Sequence, residues 1–383
     1  MEAKKKVVII GSAYPLRGGL SNFNERLAEE FLLSGFDISI YTFSLQYPAF
    51  LFPGKTQLNS EVYKGNIDIK VIINSINPFN WIRVGLKLKK QKPDLIIIKF
   101  WIPFMSPCYG TILRIVGLNK KTTRITIIDN IIPHEKRPFD NLLIRYFTKS
   151  IDGFITMSRN VLEQISVFDK AKPRLFSPHP IYDNFGTVLS REKAIEFLQL
   201  DSTKKYILFF GFIRDYKGLD ILLSAMTDDR IKKRGIVLIV AGEFYCDSID
   251  YTNFIIDNNL QDFVIMRTDF IPDGEVNRYF SVCDVVVQPY KSATQSGVTQ
   301  IAYHFNKPMI ITNVGGLEEF VPDGKVGLVV NPDPAEVANA IIKFYDDDLS
   351  IEFCRNIESE KLRFSWNNFL NNIENLHSRI AHK

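Results

Sequence analysis

Four short stretches carry groups whose chemistry suits a phosphorylated ligand. In GFIRDYKGLDILLSA (211–225), Arg214 and Lys217 lie three apart in a loop after an apolar strand, with Gly218 at the turn. Two cations there would neutralise a diphosphate, Arg by bidentate contact and Lys as a point charge; solvated loop charges would leave the same letters. In YPLRGGLSN, Gly18 and Gly19 remove side chains at the start of a helix, so a ligand can approach the backbone; a plain turn explains them equally well. In YKSATQSGVTQIAYHFNKP (290–308), a small-residue turn opens a helix, and no acid occurs between Asp284 and Glu318. The amides of Ser296, Gly297 and Val298 would then sit at a helix N-terminus, where N–H groups and the dipole favour a phosphate. In NIIPHEKRPFDN, His134 and Glu135 are adjacent, and His134 is the better proton handler near neutral pH. Surface residues on a Pro-stiffened loop are the plainer reading of that last stretch.

Other chemistries find less support. The first strand ends GSAYPL, with only the first glycine of a GxGxxG fingerprint, which counts against a nicotinamide enzyme. His179, His304, His377 and His382 show no ligand spacing, so neither a metal nor a cofactor is expected. The run of three Asp at 346–348 reads as a solvated loop.

The elements that must hold these stretches alternate strand and helix. KVVIIG (6–11) leads to a helix near SNFNERLAEEFLLSG, where Asn22 and Glu25 fit a capping box, Phe23, Leu27 and Phe31 repeat at helical spacing, and Gly35 closes the turn. Strands at 37–43, 67–76, 94–101, 123–129 and 152–158 complete a first set. A second set runs 204–213, 235–243, 262–268, 284–290, 307–313 and 327–332. Continuous apolar strands are buried on both faces and form mostly parallel sheets. Two βα series therefore predict an α/β chain of two Rossmann-like domains, linked through the Pro-, Gly- and Asn-containing stretch 177–190. The segment from Ile351 onward reads as helical throughout and would cross back to the first domain.

At 383 residues the chain is too long for one typical core. A net charge of +4 makes no demand for nucleic acid, and four scattered cysteines without a CxxC suit reduced thiols in a cytoplasm. The start, MEAKKKVVIIG, has too short an apolar run for an export signal, and FWIPFMSPCYGTIL falls short of a membrane span. A basic helix at 80–92, NWIRVGLKLKKQK, would either lie on an anionic membrane or serve as a solvated outer helix.

GGLSNFNERLAEEFLLSGFDISIYTF, FGFIRDYKGLDILLSA, CDVVVQPY and TNVGGLEEFVPDGKVGLVVNPDPAEVANAI together resemble family 4 of the retaining glycosyltransferases, with the GT-B fold. The resemblance implies two domains facing across a cleft: an acceptor-binding domain at 1–184, a nucleotide-sugar-binding domain at 185–362, and a C-terminal helix at 363–383 packed on the first. It implies that Lys217 and Arg214 meet the donor diphosphate. The family's Arg often follows the strand glycine directly, where this chain has Phe212, so Lys217 is the closer match. Gly18 and Gly19 would face the donor, Glu319 would close the GGxxE stretch after Gly315 and Gly316, and Ile271 in TDFIPDG would lie near the base.

The resemblance departs in two places. The family's His after the fifth strand is replaced by Asp129 and Asn130, so His134 does not simply inherit its role. The two glutamates separated by seven residues become Ala293 and Ile301, with Thr294, Gln295 and Gln300 as neighbouring polar groups. ATQSGV reads as a variant branch rather than decay: the turn keeps the diphosphate through backbone amides and loses a carboxylate for the ribose. The expected activity is transfer of a hexosyl group from a nucleotide diphosphate sugar to a glycan or polyprenyl-linked acceptor, in polysaccharide or lipopolysaccharide synthesis. The site would be cytoplasmic, at the inner membrane face. The alternatives are a GT-B protein that binds nucleotide or glycan without turnover, and another GT-B enzyme such as a sugar-nucleotide epimerase.

Overall fold

Uninterrupted apolar runs become parallel strands, as burial on both faces requires. The computed structural model describes residues 4–48, 56–59, 62–63, 65–133, 137–293 and 296–381. The chain divides into two units, 1–180 with 364–383, and 181–363.

The first unit is built on β1 (Lys6–Ile10), β2 (Asp37–Leu45), β3 (Asp68–Asn74), β4 (Leu95–Phe100), β5 (Thr123–Ile128), β6 (Gly153–Thr156) and β7 (Arg174–Phe176). Their order is β3-β2-β1-β4-β5-β6-β7, every pairing parallel. Helices α1 (Gly19–Leu33), α2 (Pro78–Gln91), α3 (Ser106–Gly117) and α4 (Asp140–Thr148) belong to this unit. Val84 and Leu88 of α2, Tyr109 and Ile112 of α3, and Ile144 and Phe147 of α4 share one core with β4 residues Ile96 and Ile98. Phe23 of α1 packs instead on Trp366 and Phe369 of the C-terminal helix Trp366–Ala381.

The second unit repeats the scheme with β8 (Lys205–Phe210), β9 (Ile236–Ala241), β10 (Val264–Arg267), β11 (Val285–Gln288), β12 (Met309–Thr312) and β13 (Gly327–Val330). Their order is β10-β9-β8-β11-β12-β13, again all parallel. The order reverses beside β8, and ligands of such sheets collect at the carboxyl ends of the strands flanking that point.

Three sequence expectations need correction. The first helix starts at Gly19 and has Gly18, at φ 101°, as its N-cap; Asn22 and Glu25 do not cap it. Glu25 instead accepts from the Tyr14 amide at 2.6 Å, and Asn24 donates to the Ser12 carbonyl at 2.8 Å, so this helix face pins the preceding loop. A seventh strand, β7, is only three residues long and half-buried, too short for a periodic signal. The C-terminal segment is not helical throughout. A helix at Ser350–Glu360 ends in a turn at Lys361–Phe364, and a new helix follows after Ser365, whose hydroxyl accepts from the Asn368 amide.

Candidate donor site

The carboxyl end of β8 runs into Gly211, held at φ 96°. Gly211 donates to the Ala241 carbonyl at 2.9 Å, and Ile213 donates to that of Glu243 at 2.8 Å. The chain then turns through Arg214 and a single 3-10 turn, Asp215–Lys217, to Gly218 in the left-handed region at φ 71°. A Cβ on Gly218 would overlap the Pro289 carbonyl oxygen, so glycine lets this loop close directly on the end of β11.

That closure sets where Lys217 goes. A Cβ built on Gly211 would meet Lys217 Nζ at 3.1 Å and Val298 Cγ2 at 3.6 Å, so the ammonium and the start of the helix Gly297–His304 converge over the bare glycine. The Tyr290 ring lies 5.6 Å from Lys217 Nζ, and the Tyr290 hydroxyl is 3.2 Å from Ser296 Oγ. No carboxylate of the described residues pairs with Lys217. Burial first, and the neighbouring Arg214 guanidinium second, push its ammonium down to about 8. A cation held this far below its ordinary value lacks a counter-ion that an anionic ligand would supply.

The helix Gly297–His304 leaves its first amides without a side-chain cap and has no acid in its first turn. Ser296 is its N-cap residue, but its hydroxyl is turned to Tyr290 instead. Gln300 is 1% exposed, and its Oε1 has no hydrogen-bond partner; Gln288 Nε2, at the end of β11, is equally unpartnered, while Gln288 Oε1 accepts from Thr299. Gly315, at φ 62°, packs so closely that any Cβ would overlap the Ala293 carbonyl oxygen. The GGxxE stretch is thereby seated on the loop that opens the helix, and the partly buried Glu319 keeps Oε2 without a partner.

Two groupings escaped the sequence reading. Lys291 donates its amide to the Tyr216 carbonyl at 2.7 Å and its ammonium to Asp215 at 2.9 Å and Asp220 at 3.0 Å, tying the Lys217 loop to the loop before the helix. Arg214 lies 5.1 Å from the Tyr245 ring, which is 4.4 Å from Phe212; Phe212 in turn lies 6.4 Å from Phe270. These aromatics follow β8, β9 and β10 at one end of the sheet, with Ile271 next in the chain. Phe212, standing where the resemblance has an Arg, was the readable signal.

In the first unit Gly18 is the N-cap of α1 and Gly19 its first residue. Lys99 is the surprise: 2% exposed on β4, it donates to Asp129 Oδ1 at 2.8 Å and lies 3.4 Å from the centre of the Phe23 ring. Burial lowers its ammonium while Asp129 opposes the shift, and burial with the nearby Lys99 holds His179 down at about 3. A lysine inside the apolar run LIIIKF was the available signal. His134, Thr294 and Gln295 lie outside the described residues.

The whole chain overlays known structures despite low identity. A glycosyltransferase from Rickettsia africae ESF-5 gives a TM-score of 0.73 at 16% identity over 99% of both chains. Sucrose-phosphate synthase from Thermosynechococcus elongatus gives 0.71 at 15% over 98% of this chain and 99% of that one. The fold is GT-B. On this GT-B chain, residues 204–347 match the model described as glycosyl transferases group 1, a segment that contains Arg214, Lys217, Gly297 and Glu319. A D-inositol 3-phosphate glycosyltransferase of Paenarthrobacter aurescens is 32% identical over 37% of this chain and 36% of its own. An uncharacterized glycosyltransferase of Methanocaldococcus jannaschii is 28% identical over 62% of each. The matches thus span less than two thirds of these relatives' lengths.

Proposed function

We propose that this chain is a retaining glycosyltransferase that moves a hexosyl group from a nucleotide diphosphate sugar to a glycan or lipid-linked acceptor in cell-surface polysaccharide or lipopolysaccharide synthesis. The observation that carries the reading is Lys217, a depressed cation without a carboxylate partner among the described residues, converging with the uncapped helix start at Ser296–Val298. The Anabaena HepE structures in complex with UDP and with UDP-glucose, and the lipopolysaccharide outer core galactosyltransferase WaaB, share the fold and support that choice of donor and acceptor.

In this reading the bond between the anomeric carbon and the diphosphate oxygen breaks, and the acceptor oxygen bonds to that carbon from the same face. The departing phosphate oxygen takes the acceptor proton. Negative charge growing on the diphosphate would be met by Lys217, Arg214 and the 296–298 amides, preorganised in a partly dry site. The ribose would meet Gln300 or Glu319 and the base the loop at Ile271. Two fixed cations do the neutralising that a metal would otherwise do. The test is donor hydrolysis and transfer across UDP-, GDP- and ADP-sugars with and without EDTA. One preferred donor and no effect of the chelator are expected; turnover of none would sink the reading.

The pH dependence has a definite sign. Lys217 is charged below about pH 8 and loses its charge above it, so kcat/KM should fall as pH rises through about 8. Because the folded value lies below the unfolded one, the folded chain is relieved of a buried charge over the same interval, and this group's contribution to stability rises from pH 8 towards the ordinary lysine range. Activity and the stability that this group contributes therefore move in opposite directions. An alkaline loss of kcat/KM that tracks unfolding instead would remove Lys217 as its cause.

A binding protein without turnover is the second reading, favoured by the apolar Ala293 and Ile301 where the resemblance has glutamates. Calorimetric binding of a nucleotide with no hydrolysis of any sugar donor would establish it.

A further inference from the structure

Helix α2 carries two faces. Val84, Gly85 and Leu88 are buried, and Gly85 lets Ile115 of α3 close against the backbone. Pointing away are Phe79, 85% exposed, Ile82, 45%, and Leu86, 52%. Spacings of three and four put the three on one stripe. At about 100° per residue, Lys89 falls beyond Ile82 on one flank, with Arg83 and Lys87 on the other and Lys90 beside Phe79. The helix contains no acid, and among the described residues none of its four cations makes an ion pair. A solvated outer helix would put charge at the crest; this one puts apolar side chains there and cations at the sides. Beside it, α3 ends near exposed Leu118, followed by Lys120 and Lys121.

We infer that this face docks on an anionic lipid bilayer. Phe79, Ile82 and Leu86 enter the boundary between headgroups and acyl chains, and Arg83, Lys87, Lys89 and Lys90 meet the headgroup phosphates. The contact is peripheral, since no helix of the described residues is long and apolar enough to cross a membrane. Charge selects the occupant: a second copy would set two cationic faces against each other, and a nucleic acid would leave the apolar crest in water. The inference does not depend on sugar transfer.

Cosedimentation of the full chain with phosphatidylcholine vesicles, with and without phosphatidylglycerol, tests it. Binding is expected only to the anionic vesicles and should weaken as salt is raised. Phe79→Glu with Leu86→Glu should cut partitioning at least tenfold, and Lys87→Glu with Lys90→Glu roughly a hundredfold. All four side chains are exposed, so circular dichroism and melting should be unchanged. Equal binding to both vesicle types, no binding, or binding indifferent to Phe79 and Leu86 would overturn the inference. So would concentration-dependent self-association abolished by Phe79→Glu, which would make the face an interface between copies.

Discussion

Lys217→Ala is expected to lower kcat/KM for sugar transfer by roughly 10²- to 10³-fold, the cost of removing one preorganised charge aimed at a developing anion. The ammonium sits over Gly211 where Val298 also arrives, and no described carboxylate satisfies it. In the proposed reaction its strongest interaction would be reserved for charge that grows as the diphosphate leaves, and the loss should fall on kcat as well as on KM. Lys217→Met, which keeps length without charge, should lose as much. Residual activity should persist, because Arg214 and the helix amides remain. Near-normal transfer by either variant would take Lys217 out of the site, while a loss confined to KM would reduce it to an anchor for the ground state.

The second large effect is on stability. Asp129→Ala should destabilise the chain by about 3–5 kcal/mol, since it strands the Lys99 ammonium without a carboxylate in a nearly dry interior beside the Phe23 ring and His179. Replacing both residues, as Lys99→Met with Asp129→Ala, should recover most of the loss, because an apolar pair avoids the desolvation cost that the ion pair bears. Urea unfolding of the two variants measures it. A double variant as unstable as the single one would show that Asp129 matters through its other contacts rather than through Lys99.

How much of this could be read from the letters depends on the range of the forces involved. β4 and β9 are legible because burial on both faces leaves continuous runs such as LIIIKF and IVLIVA. The loop of Arg214 and Lys217 was placed correctly at a strand end for the same reason. The start of α1 was misread because a plausible Asn22–Glu25 cap competes with a glycine N-cap, and only the fold shows that Glu25 is needed by Tyr14. Lys291 was invisible as a site builder, and Gly315, legible as part of the GGxxE stretch, gave no sign of its seat on Ala293: each acts on a segment distant in sequence, Tyr216 and Ala293, through backbone geometry that leaves no residue pattern. The break at Ser365 hides because neither Gly nor Pro marks it.

The helix Trp366–Ala381 has a consequence for how the chain can be assembled. It packs on α1 through Phe23, lies over Gly153 of β6 with Leu376 and Ile380, and donates from Asn372 to Ser177. The first unit is therefore discontinuous in sequence, while residues 181–363 form the second without interruption. During synthesis the later-starting unit has all its parts first, and the opening sheet waits with the Phe23 side of α1 uncovered until residues beyond 363 emerge. Fragments cut near residue 180 should accordingly be soluble from the cut onward and aggregation-prone before it.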